Sequence, residues 1–72
     1  MKPIMLDLCE IDIDEKLTNI RVNLNNIVSI KEYNSSARSN CSIIETVSGS
    51  LIFVTLSVLE IMQQIRYEYN IQ

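Results

Sequence analysis

The residues of this chain that could do chemistry are two cysteines, Cys9 and Cys41, and an acidic run of Glu10, Asp12, Asp14 and Glu15. A catalytic thiol needs a base within hydrogen-bond reach, and carboxylate catalysis needs paired acids in a dry cleft. The chain has no histidine, so no Cys–His pair forms within one copy. Glu10, Asp12 and Asp14 fall at alternate positions and share one face of an extended segment, which is expected to be solvated. A magnesium or calcium ion there would want further converging oxygens. No CxxC occurs, and zinc sites built from cysteine and histidine are effectively absent. The two thiols are expected to be reduced, with one or both buried; a disulfide across two strands would need an oxidising compartment. The serines of the 34–40 segment, with Arg38, suggest a phosphate loop, but their spacing matches no glycine-rich motif. These residues predict a protein that is not an enzyme and carries no cofactor or metal.

Charge narrows the partners. Six basic residues stand against nine acidic ones, a formal net charge of −3. Phosphate backbones demand clustered positive charge, and Lys2, Lys16, Arg21, Lys31, Arg38 and Arg66 are scattered along the chain. Nucleic acid is therefore a disfavoured partner. If the chain does bind it, Lys16, Arg21, Lys31 and Arg38 are the expected contacts, and they must converge on one face. No apolar run approaches the roughly 20 residues of a membrane helix, and Pro3 to Leu8 lacks a cleavage-site pattern. The expected compartment is the cytoplasm, or the host cytoplasm for a viral protein.

The elements that must position these residues are those of one small α+β domain: a mostly antiparallel sheet of four to five strands with a C-terminal amphipathic helix packed on it. The firmest segment runs from Cys41 to Tyr69. Two β-prone runs, Cys41 to Val47 and Leu51 to Leu56, flank Gly49, the single glycine, which suits a hairpin turn. Ser57 and Glu60 have the spacing of a capping box, with Leu56 and Ile61 placed for a hydrophobic staple. Val58, Ile61, Met62, Ile65 and Tyr69 follow as one apolar stripe, with Gln63, Gln64, Arg66 and Glu68 opposite and Asn70 as the expected C-terminal cap. Upstream, a hairpin is predicted over 4–24. Its first strand changes alternation phase near Leu8 and Cys9, which predicts a bulge. Its second strand buries Ile20, Val22 and Leu24, and Arg21 is placed to face Glu10 or Asp12. A connecting segment over 25–33 contains a short turn capped by Asn25 and a strand over Ser29 to Tyr33. A polar loop over 34–40, the hairpin over 41–56 and the helix over 58–69 complete the domain.

Two patterns in these segments have family counterparts. Val22-Asn-Leu-Asn-Asn-Ile-Val-Ser-Ile30, followed by Ile44-Glu-Thr-Val-Ser-Gly49, Ile52-Phe-Val54 and Ser57-Val-Leu-Glu-Ile61, resembles the small flagellar and swarming-motility proteins of the FlbD-like family. The resemblance covers roughly residues 17 to 65; the 34–40 segment is extra, and no proline follows Asn25. It implies a small soluble accessory protein without catalytic residues. Leu24 to Ile30, Thr46, Gly49 and Ser57 to Ile61 are also similar to the front half of LytTR-type DNA-binding domains, which implies a small regulator.

A domain of 72 residues buries only about 60% of its unfolded surface. Ile43 and Ile44 point to opposite faces of a regular strand, as do Ile52 and Phe53, so apolar groups lie on both faces of the sheet. These features predict a small bacterial or phage interaction protein that self-associates as a homodimer, or binds another protein. Its expected contact surface comprises Glu10, Asp12, Asp14, Glu15, Phe53 and Leu59. A nucleic-acid-binding regulator and an inhibitor from a mobile element, acting through the acidic residues, are the two alternatives.

Overall fold

The computed structural model describes residues 2–34 and 38–71. The chain forms β1 (Met5–Ile11), β2 (Leu17–Asn23), a 3-10 turn (Leu24–Asn26), β3 (Ile27–Tyr33), β4 (Cys41–Thr46), β5 (Leu51–Val54) and α1 (Val58–Asn70). The strands make one five-stranded sheet in the order β2-β1-β5-β4-β3, with every neighbouring pair antiparallel. The α+β class and the number of strands agree with the sequence pattern.

Two of the three hairpins are closed by the same turn. At Asp12–Lys16 the Glu15 amide donates to the Asp12 carbonyl, the Asp12 amide donates to the Lys16 carbonyl, and Glu15 has φ 62°. At Thr46–Ser50 the Gly49 amide donates to the Thr46 carbonyl, the Thr46 amide donates to the Ser50 carbonyl, and Gly49 has φ 89°. Each is a three-residue loop ending in the left-handed region, the geometry that matches strand twist. Glycine meets that requirement without steric cost, whereas Glu15 carries a side chain into it. The first turn compensates through Asp12, whose Oδ1 accepts from the amides of Asp14 (2.9 Å) and Lys16 (2.8 Å).

The β1–β2 ladder runs in unbroken register from Met5↔Asn23 to Ile11↔Leu17, so the bulge expected near Leu8 is absent. The irregularity lies instead in β3, between Ile27 and Ser29. The strand expected from Ser29 starts at Ile27, and the 3-10 turn before it is capped by Asn23, not Asn25: the Asn23 side chain accepts from the Asn25 amide. Turn and sheet are tied together where Leu24 donates to the Ile4 carbonyl and Val47 donates to the Asn26 carbonyl.

Strand alternation and the four registers assign one set of residues to each sheet face. Ile4, Leu6, Leu8, Ile44 and Val54 form a buried cluster with Ile61 of α1. Leu6, Ile44, Val54 and Ile61 have no exposure at all. Ser42, also fully buried, sits on this face and donates to the Leu56 carbonyl at 2.7 Å; a buried hydroxyl would otherwise be destabilising. The capping box of α1 is complete: Ser57 Oγ accepts from the Glu60 amide and Glu60 Oε1 accepts from the Ser57 amide, both at 3.1 Å. The helix ends at Asn70 with Ile71, not Asn70, as its cap.

The exposure of α1 differs from the apolar stripe. Met62 and Tyr69 are exposed, while Gln64 and Glu68, expected on the opposite side, are half-buried. The reason lies in β1. Its pairing with β5 is confined to Glu10↔Val54 and the Thr55 amide donating to the Cys9 carbonyl. Asp7 presents its backbone groups on that same side, where β5 no longer runs. The Gln64 carboxamide takes the missing strand's place, accepting from the Asp7 amide at 2.7 Å and donating to the Asp7 carbonyl at 3.2 Å.

Candidate interaction surface

The face of the sheet opposite the buried cluster is assembled from the odd-numbered residues of β1, β2, β4 and β5 and of β3 after its bulge. Ile11 from β1, Leu17 from β2, Tyr33 from β3, Cys41 and Ile43 from β4, and Leu51 and Phe53 from β5 all belong to it. Leu17 is 49% exposed and Leu51 58%. Tyr33 and Phe53 lie on either side of β4 and meet edge to face, with ring centroids 5.5 Å apart and planes at 72°. That geometry is favourable for aromatic pairs, and both rings stay partly open to solvent.

At the end of this face an open groove of about 520 Å³ is lined by Glu10, Ile11, Asp12, Ile13, Glu15, Tyr33, Arg38, Cys41 and Phe53. Its lining combines apolar and aromatic residues with three acidic residues and one arginine. Ile13, at the tip of the first hairpin, is almost fully exposed beside it. Of the residues singled out from sequence, Glu10, Asp12, Glu15 and Phe53 are brought together here. Asp14 is exposed in the same turn but does not line the groove. Leu59 is exposed on the first turn of α1, in a different part of the molecule. Asp12 is already committed to holding its own turn. Ile11, Ile13, Tyr33 and Cys41 were not foreseen as part of a surface. Only the strand order places Tyr33 beside Phe53, because they are twenty positions apart with a whole strand between them.

The basic residues are carried by different elements. Arg21 lies on β2 and Lys31 on β3, the two outermost strands of the order. Arg21 pairs with Asp7, Nε to Oδ1 at 3.0 Å, instead of Glu10 or Asp12. The unbroken β1–β2 register puts Asp7 directly opposite it. Lys16 is in the first turn and Arg38 at the groove. Ser35, Ser36 and Ala37, the middle of the segment read for phosphate binding, lie outside the described residues.

Cys9 and Cys41 are both free, the first half-buried and the second buried. Extending the two ladders by one residue puts position 55 between them. They are thus two strands, or about 10 Å, apart, beyond the roughly 7 Å that a disulfide spans. Among the described residues no three His, Cys, Asp or Glu side chains converge as a metal site, and no helix is long and apolar enough to cross a membrane. No family model matches the chain, and no curated protein and no solved structure compared with it does so either.

Proposed function

We propose that this chain is a small non-enzymatic interaction protein that works through contact with other protein chains and associates with itself. The observation that carries this reading is the uncovered sheet face. Large apolar residues at Leu17, Tyr33, Leu51 and Phe53 stand on a face that no other described element covers. Contiguous apolar surface of that kind marks protein contact sites. The exposed side of α1, with Leu59, Met62 and Tyr69, adds a second apolar surface, so the amphipathic helix serves both its own core and a partner. The FlbD-like resemblance supports an accessory role over a catalytic one. The net charge of −3 and the pairing of Arg21 with Asp7 weigh against a phosphate backbone as the partner, because charge neutralisation there needs clustered cations.

Sedimentation velocity from low to high micromolar concentration tests the reading. The expected outcome is a rise in mean mass with concentration; Leu51→Glu, which places a charge on the uncovered face, tests whether that face is itself buried in the self-association. A protein that stays monomeric throughout would overturn the self-association.

A further inference from the structure

We propose that the second copy docks on the β2 edge, pairing β2 with β2 antiparallel about a twofold axis at Ile20 to make one ten-stranded sheet. This rests on the self-association reading and specifies the surface involved. The direction of the β2 backbone follows from two hydrogen bonds that bracket the ladder: Leu24 N–H to Ile4 and Asp12 N–H to Lys16. Even-numbered residues of β2 therefore exchange hydrogen bonds with β1, and the odd-numbered Leu17, Asn19 and Arg21 turn their N–H and C=O groups outward. No described segment pairs with that edge. Unpaired strand edges are templates for another strand, and folded proteins protect them with bulges, proline or charge. The edge formed by β3 has a bulge after Ile27 and an exposed Lys31. The β2 edge has neither bulge nor proline. Its single charge, Arg21, is partnered within the subunit by Asp7.

The occupant follows from self-complementarity. Only odd residues can exchange hydrogen bonds across this edge, so few registers exist. The register centred on Ile20 sets Ile20 against Ile20, Thr18 against Val22 and Asn19 against Arg21. β-Branched residues then meet on the core-facing side, and a neutral amide meets a guanidinium on the other. A shift toward the strand's C-terminal end sets Arg21 against Arg21, which like-charge repulsion disfavours. A shift the other way sets Arg21 against Leu17. In the favoured register the two uncovered faces also join side by side, so the dimer presents one continuous apolar surface.

The test is a charge series at Asn19, read by sedimentation equilibrium with circular dichroism to verify folding. Asn19→Glu faces Arg21 of the second copy, and Asn19→Lys repels it. Each change acts twice across the symmetric interface, so the dissociation constant is expected to fall roughly three- to tenfold for Glu and rise by a similar factor for Lys. Concentration-dependent association that ignores both changes, or shifts the same way for both, would overturn the β2 edge while leaving self-association in place. Loss of association in Leu51→Glu with no response at Asn19 would overturn it in favour of face-to-face packing. A wild-type chain that is monomeric at every concentration would overturn both readings.

Discussion

Gln64 shows how much a single polar side chain can decide in a small sheet. Its carboxamide closes two hydrogen bonds on the Asp7 backbone, where β5 has already turned away toward the helix. A glutamine has one donor and one acceptor group spaced like a peptide unit, so it can stand in for a strand residue. Gln64→Ala is expected to destabilise the fold by about 1–2 kcal/mol, from two hydrogen bonds of about 0.5–1.5 kcal/mol each at an exposed site. Gln64→Glu is expected to lose nearly as much, because its carboxylate cannot donate to the Asp7 carbonyl. Urea unfolding of the two variants measures this; retention of wild-type stability in Gln64→Ala would show that water satisfies Asp7 equally well. The role was illegible in the sequence, where Gln64 is only a polar position opposite an apolar stripe.

At the scale of elements, local signals were read well wherever the chemistry is local. The capping box at Ser57 and Glu60 and the glycine turn at Gly49 need only residues within five positions of each other, and both form as the spacing predicts. The first hairpin has the same turn as the second, yet its left-handed position holds Glu15 in place of glycine, so its geometry lacks the usual signature. A non-glycine residue there costs about 1–2 kcal/mol, partly offset in a glycine variant by greater unfolded-chain entropy of about 0.5–1 kcal/mol. Glu15→Gly is therefore expected to raise stability by up to about 1 kcal/mol, measured by urea unfolding below the concentrations of association; a destabilised variant would contradict the account. The β1 phase change was misread as a bulge because two apolar phases in one strand have another cause. Ile4, Leu6 and Leu8 serve the buried cluster, while Cys9 and Ile11 lie on the opposite, partly open face. In β3, by contrast, the bulge after Ile27 left no sequence mark.

For the whole molecule, size and two-faced patterning are linked. One helix covers one side of the five-stranded sheet, and the residual apolar surface on the other is the kind that association buries. Association favours the native state by mass action. The thermal midpoint of the wild type is accordingly expected to rise with protein concentration, and that of Asn19→Lys to change less. A concentration-independent midpoint in differential scanning calorimetry would argue that the native chain is monomeric.

The sequence by itself determined the α+β class, the hairpin at Gly49, the capped helix and the presence of apolar residues on both strand faces, because propensity, capping and alternation act over a few neighbouring positions. Only the tertiary structure decided that Tyr33 meets Phe53, that Glu10, Asp12, Glu15 and Phe53 share a groove, that Arg21 pairs with Asp7, and that Gln64 completes β1. Those depend on strand order and register, which are set by how the whole chain buries its apolar surface. No short window of sequence contains that information.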